Sequence, residues 1–367
     1  MKRIWMASLS CSMLALAACS ATEDAPSFGA ETENAAPPSA VGDEKNGGMA
    51  APGTSSGPSG GMGDGEKGGG PGGSPQAGLL TAGVWDDNLN FDFFKKYLSL
   101  SSSLVGVPSF SLQERETARA KWSQRTGASE LDVAFVLDTT GSMGDELRYL
   151  QTEIDDIART IQAKHPQMQA RWGLVLYKDQ FDTYVTRSFD FAPIDQFRQT
   201  LEQQSVGGGG DYPEAVEEGL EKMNSLSWRS GAVARVAFWV ADAPHHVGKE
   251  SAVKAQIEAA VAKDVHIYPV AASGTDDRTE YTMRTAAQLT GGRYIFLTDD
   301  SGVGNPHAEP KIPCYYVTKF NSAIVRLVES ELSGARVEPD PNEILRAVGN
   351  PTNGQCATKS DGNVTIY

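Results

Sequence analysis

From residue 131 to residue 297 the apolar positions follow two alternating rhythms. Short runs rich in Val, Leu, Ile, Phe and Tyr fall at residues 133–137, 171–177, 184–189, 233–240, 265–270 and 293–297, the composition of strands covered on both faces. Between most of them the spacing lengthens to three and four. Leu147, Leu150, Ile154, Ile157 and Ile161 share one helical face, as do Val216, Leu220 and Met223. A last helix, from about residue 315 to 332, is expected to carry Val317, Phe320, Ile324, Leu327 and Val328. Strand-helix alternation of this kind predicts an α/β fold: a doubly wound, Rossmann-like, mainly parallel sheet with helices on both faces, over residues 129–333.

The flanks read differently. Residues 19–78 are Gly, Pro, Ser, Ala and Glu with almost no large apolar side chain, so they cannot offset the entropy of ordering and predict a disordered tether. A Gly-rich coil of that length spans roughly 40 to 45 Å. Residues 79–128 crowd Trp85, Leu89, Phe91, Phe93, Phe94, Tyr97 and Leu98 together, too dense for disorder yet too few for a core of their own. They predict a flanking segment that docks on the following domain. The tail, 334–367, is rich in Pro, Asn and Gly and predicts little beyond Cys356.

At the N-terminus, Lys2 and Arg3 precede an apolar, small-residue run ending at Ala18, too short to span a bilayer and shaped like a secretory signal over residues 1–18. Leu16-Ala17-Ala18-Cys19 resembles the lipobox of bacterial lipoproteins, which implies lipidation of Cys19 and a membrane anchor; the alternative is plain cleavage after Ala18. Ser20, where an Asp would retain the protein at an inner membrane, implies an outer-membrane location in a cell with two membranes. With Cys11 in the signal and Cys19 under lipid, Cys314 and Cys356 remain as an even pair. A disulfide between them would close a loop of about 40 residues and contribute roughly 4 kcal/mol; the alternative is two unpaired thiols.

Candidate chemistry sits at the strand ends. Asp138 closes the first strand pattern, and Thr140, Ser142 and the pair Asp145-Glu146 follow, with Gly141 and Gly144 free to bend the backbone. In open α/β sheets, ligands collect at the carboxyl ends of strands. A carboxylate followed by neutral hydroxyls at alternate positions is oxygen-donor chemistry for a divalent cation. Asp179 ends the second strand, Asp211 to Glu214 follow a run of four glycines, and Asp242 ends the fourth strand. Singly, each acid is an ordinary N-cap or turn residue. Four at one edge would repel one another unless compensated.

Asp138, Thr140 and Ser142 resemble the Asp-x-Ser-x-Ser motif of von Willebrand factor A domains. Common members supply a Thr after paired glycines; this chain instead reads Asp211-Tyr212-Pro213-Glu214, similar to the integrin β-subunit I-like variant, which residues 171–179 and Asp242-Ala243 also match. The resemblance implies a central site of Asp138, Thr140, Ser142, Glu214 and Asp242, with Glu214 a direct ligand and the two Asp acting largely through water. It implies a second site from Asp179, Asp211, the Pro213 carbonyl and Glu214, and a third from Asp145 and Glu146. An Asn ligand of the family falls on Gly209 here, and one Asp of its acidic pair is Glu146.

Oxygen donors alone indicate Mg²⁺, or Ca²⁺ or Mn²⁺. His245 and His246 could be read as zinc ligands or as a catalytic base, but adjacent histidines make a poor metal clip and they are read as structural or supporting groups. The expected function is metal-bridged recognition without catalysis, in which an acidic side chain of a protein partner completes the coordination and loop 298–313 touches the partner's surroundings. By resemblance, movement of that loop and of the last helix switches affinity. The alternatives are a metal-dependent hydrolase with His245 or His246 as base, and a scaffold whose metal is structural. A net charge of -15 argues against nucleic acid and anionic membrane faces. The four-glycine run lacks the Lys-Ser/Thr of a phosphate loop, so no nucleotide is expected, and the export signal argues against service to an ATP-driven cytosolic machine.

Overall fold

The computed structural model describes residues 77–124, 126–303 and 306–366. The expected signal, Cys19 and the tether up to residue 76 lie outside them. The chain runs β1 (Thr81–Trp85), α1 (Phe91–Ser99), α2 (Leu112–Trp122), β2 (Glu130–Asp138), α3 (Gly144–Lys164), β3 (Ala170–Tyr177), β4 (Thr186–Ala192), α4 (Ile194–Glu202) and α5 (Val216–Ser225). It continues through β5 (Val233–Ala241), α6 (Glu250–Ala262), β6 (His266–Ala271), α7 (Asp277–Thr290), β7 (Tyr294–Leu297), β8 (Tyr315–Lys319), α8 (Phe320–Ser333), β9 (Arg346–Val348), β10 (Gln355–Thr358) and β11 (Gly362–Thr365).

Among the described residues, nine strands form one sheet in the order β4-β3-β2-β5-β6-β7-β1-β8-β9, and β10 and β11 pair as a separate hairpin. The five neighbouring strands β3-β2-β5-β6-β7 are parallel, and β4 is antiparallel to β3. Strand side chains alternate between faces, and β2 shows what each face meets. Leu131, Val133, Phe135 and Leu137 join α3, α4 and α8 in one core, while Ala134 and Val136 join α5, α6 and α7 in the other. Both faces being covered is why β2 carries no polar residue from Val133 until Asp138. From β2 the chain turns to β3 and β4 on one side, then returns to β5 on the other. This reversal opens a crevice between the carboxyl ends of β2 and β5, the ligand position of a doubly wound sheet.

Three regions differ from the sequence reading. The aromatic segment does more than dock: β1 lies inside the sheet, antiparallel to both β7 and β8. Gly83 makes this possible, because a Cβ there would run into the Phe296 ring. Secondly, the last helix begins at Phe320, not near Tyr315, and Val317 is a buried strand residue paired with Gly83 and Arg346. The stretch Tyr315 to Thr318 is aromatic and β-branched, and two neighbouring strands supply its hydrogen bonds. Thirdly, the tail is folded, adding β9 to the sheet edge and packing Cys356, Val364 and Ile366 into the core shared with α5 to α7. Its few apolar residues were too sparse to show a period.

The Gly83–Phe296 contact yields a prediction. Gly83→Ala should lower stability by about 1–3 kcal/mol through overpacking. In the Phe296→Ala background the same change should cost clearly less, because the two sites share one space. Urea denaturation of the four proteins in this cycle measures it, and equal costs in both backgrounds would remove the contact as the cause.

Candidate metal centre

Parallel pairing of β2 with β5 sets Asp138 beside the end of β5, one residue before Asp242. The turn after β2 is held by its own carboxylate: Asp138 Oδ1 accepts from the Thr140 backbone N–H (2.9 Å) and from its hydroxyl (2.7 Å). Thr140 Oγ1 lies 3.3 Å from Ser142 Oγ, and Ser142 bonds the Asp242 carboxylate. The glycine run comes from across the crevice. Gly141 N–H donates to the Gly208 carbonyl (3.0 Å) and Gly207 N–H to that of Thr139 (3.1 Å). Gly208 and Gly209 have φ of 85° and 81°, the left-handed region that favours glycine. Room is equally decisive, since a Cβ on Gly208 would collide with the Asp182 carboxylate.

Glu214 is placed by a bridge to the loop after β5: its N–H donates to the Pro244 carbonyl (2.9 Å), and it pairs with His245. The Tyr212 hydroxyl, donating to the carbonyls of Asp242 (3.2 Å) and Gly274 (2.8 Å), fastens the same two loops. Of the expected central site, Asp138, Thr140, Ser142 and Asp242 are joined by hydrogen bonds, and the Glu214 carboxylate lies close enough to feel the charges of Asp138 and Asp242. Asp138, Thr140, Glu214 and Asp242 are at least 96 % buried, while Ser142 is exposed and marks the open side.

The electrostatics of this arrangement are unfavourable as it stands. Asp138 Oδ2, Glu214 Oε2 and Asp242 Oδ1 are buried without a hydrogen-bond partner, although buried polar groups are nearly always satisfied. Burial, followed by repulsion from Asp242, raises the Asp138 carboxyl to about 7. Burial and then the Asp138 and Asp179 charges raise Glu214 to about 9. Burial, with Glu146 adding to it and Ser142 opposing, raises Asp242 to about 6. One cation is built in: Lys178, buried and drawn below the usual lysine value by desolvation, donates through Nζ to the Thr139 carbonyl (2.8 Å). Three unpartnered carboxylate oxygens beside two hydroxyls fit a divalent cation, which would supply the missing positive charge.

The other expected sites come out differently. Asp179 and Asp211 do come together, with His246 as their third member: one ligand atom from each lies within 4.8 Å of the others. Glu214 is not a member of that trio, although the Asp179 charge acts on its carboxylate. The Asp145 side chain lies outside the described residues. Glu146 is turned inward, accepting on Oε1 from the Ser273 N–H (3.1 Å) and hydroxyl, with His307 Nε2 at 3.9 Å. Cys314 and Cys356 stand as two buried free thiols, hydrogen-bonded to one another, in place of the expected bridge, and burial pushes the Cys314 thiol up. Sequence reasoning gave His246 only a structural or supporting role, and it missed Lys178 and Asp182, whose carboxylate accepts from Gly209 N–H (3.0 Å). No spacing marks these three; only the meeting of loops does.

Residues 132–302 match the von Willebrand factor A domain family, across the whole of the central site. The chain carries a von Willebrand factor A domain. Two curated relatives share part of this region. The alpha-protein kinase vwkA of Dictyostelium discoideum is 32% identical over 123 residues, covering 32% of this chain and 19% of its own. A putative ariadne-like RING finger protein, R811, of Acanthamoeba polyphaga mimivirus is 28% identical over 117 residues, 32% of this chain and 11% of its own. The chain therefore spans a fifth or less of either relative. Among solved structures, the open conformation of the pilus adhesin SpaC from Lactobacillus rhamnosus GG aligns with TM-score 0.35 and 11% identity, covering 45% of this chain and 27% of that one. The conserved hypothetical protein BatB from Bacteroides thetaiotaomicron aligns with TM-score 0.38 and 14% identity, covering 55% and 98%.

The raised carboxyls of this A domain yield a prediction with a definite sign. An acid whose folded value exceeds its unfolded one holds protons in the folded state, so its stabilisation is full below about pH 4 and lost as pH rises through the folded value. In chelator the melting temperature should therefore fall as pH rises through about 6, 7 and 9, the values of Asp242, Asp138 and Glu214. Millimolar Mg²⁺ should flatten that fall. Asp138→Asn should make the metal-free protein more stable at pH 8 and remove the Mg²⁺ response. Calorimetry across pH checks this; a Mg²⁺ response unchanged in Asp138→Asn would place the ion elsewhere.

Proposed function

We propose that the protein is a recognition module that binds an acidic side chain of a protein partner through a divalent cation held by Asp138, Thr140, Ser142, Glu214 and Asp242. The observation that carries this reading is the set of three orphaned carboxylate oxygens beside an exposed hydroxyl at the crevice mouth. When bound, the cation supplies a Lewis-acidic position that a carboxylate from outside completes. Asp138 and Asp242 hold the inner side, Thr140 and Ser142 contribute neutral oxygens, and Lys178 keeps part of the acid charge balanced.

A second feature supports partner binding. Phe181, between Asp179 and Asp182, is fully exposed with φ of 72°. An aromatic residue held in the left-handed region in water is strained and unburied at once, and such features concentrate at binding sites. Asp182 holds the conformation through Gly209, so Phe181 stands at the rim beside the glycine loop. Tyr212 and Val247, in the loops that carry Asp211 and His246, are also exposed.

Binding is favoured over hydrolysis by the state of the two histidines. His245 is wholly buried and held below its ordinary value by desolvation, away from the open side of the crevice. His246 is bonded to Asp179, not to a hydroxyl or thiol. In this reading the module is exported, and the Cys19 lipid anchors it in the cell envelope on the tether.

Peptide display against the whole protein tests the proposal. Peptides selected in Mg²⁺ and released by chelator should share an Asp or Glu whose change to Asn or Gln abolishes binding. Asp138→Ala should retain none of them. Phe181→Ala should weaken binding about tenfold, as loss of an aromatic anchor does, while leaving the Mg²⁺ thermal shift intact. Peptides with no shared acid, or binding indifferent to chelator, would sink the proposal.

A further inference from the structure

The structure assigns a second cation site to Asp179, Asp211 and His246, and its imidazole donor points to a borderline first-row ion of the Zn²⁺ class in place of Mg²⁺ or Ca²⁺. The three side chains come from three different loops: Asp179 just after β3, Asp211 from the segment leading into α5, and His246 from the loop after β5. Their ligand atoms nevertheless gather within 4.8 Å.

The loops are tied to one another through backbone atoms. Ala215 N–H donates to the Lys178 carbonyl (3.2 Å), next to Asp179. Glu214 N–H donates to the Pro244 carbonyl (2.9 Å), two residues before His246, and Lys249 N–H caps the His246 carbonyl (3.1 Å). Donors held this way lose little freedom on taking up an ion, the condition for a preorganised site. Asp179 is buried, His246 is part-buried and Asp211 is exposed, so water can complete the coordination from outside.

His246 Nε2 and Asp179 Oδ1 lie 2.6 Å apart, at hydrogen-bond distance. An ion entering between them would replace this hydrogen bond, each group turning a lone pair toward it. A further buried group beside the trio is also short of positive charge. Glu214 Oε2 has no partner, and Asp179 is among the charges that repel this carboxylate most. Two carboxylates alone would suit a hard ion. An imidazole nitrogen in the set shifts preference along the series toward Zn²⁺ and weakens it for Mg²⁺, which prefers oxygen.

This assignment does not need the partner-binding reading, and one experiment separates them. Tag-free full-length protein in saturating Mg²⁺ is titrated with Zn²⁺ by calorimetry, and Co²⁺ is used in parallel for its visible absorption. The expected result is one Zn²⁺ per chain. His246→Gln and Asp211→Asn should each weaken it at least about tenfold, and His246→Gln should also change the Co²⁺ spectrum. Asp211 is exposed, so its variant tests the site without threatening the fold. No Zn²⁺ binding, leaving a plain His–Asp pair, would overturn the assignment. So would binding equal in both variants, which would place the ion elsewhere, for instance at Cys314 and Cys356. Loss of the Mg²⁺ thermal shift with Zn²⁺ binding intact would count against the central site alone.

Discussion

Three carboxylates are forced together at the one point where the sheet changes direction, and much else in the site follows from that crowding. Asp138 cannot retreat, because β2 is paired on both sides and buried on both faces. Asp242 is fixed by the strand beside it, and Glu214 by its backbone bridge to the loop after β5. The apolar packing that stabilises the sheet also removes the water that would have screened these charges. Stability and site strain thus have one source. Lys178 and the hydroxyls of Thr140 and Ser142 offset part of the repulsion and leave three oxygens unmet. A charge deficit of this kind couples cation binding to folding.

Glycine conformation and loop electrostatics serve the same end. The run from Gly207 to Gly210 crosses the crevice mouth close enough to bond the Thr139 and Gly141 backbones. Two contacts specify its path: the Asp182 carboxylate fills the space where a Gly208 side chain would lie, and it accepts from Gly209. Asp182 therefore links the glycine run to the loop carrying Phe181. The strain at Phe181 is paid for by this link. Under the proposed function, a ring held outward in water beside the cation would suit a partner that brings an acid and an apolar neighbour together.

The sequence made the parallel core legible because its strands are buried on both faces and its helices keep a clean period. Residues 133–137 and 171–177 lie within observed strands, and 147–161 within α3. Strands held mainly by their neighbours were not legible. Residues 81–85 mix Thr, Ala and Gly with two large residues, and they form an interior strand because β7 and β8 offer unpaired edges and Gly83 admits the Phe296 ring. Val317 fits the helical spacing of α8 equally well as arithmetic, and hydrogen bonds to β1 and β9 decide against it. At the site, the five central residues could be read from their strand-end positions and a known motif. His246 could not, because its place depends on the bridge between Glu214 and His245, and no periodicity encodes such a contact.

That bridge has a consequence for how the two donor sets relate. Glu214 is coupled to both, its carboxylate repelled by Asp138 of one set and by Asp179 of the other. A cation held by either set lowers the cost of ionising Glu214, and an ionised Glu214 is in turn a stronger donor to the other set. Coupling of this kind is reciprocal by thermodynamic necessity. The donors differ in character, since one set is all oxygen and the other contains an imidazole nitrogen. Two unlike ions can therefore support one another without competing for the same position. The affinity of the open crevice for an acidic partner would then depend on a softer ion that the partner never touches.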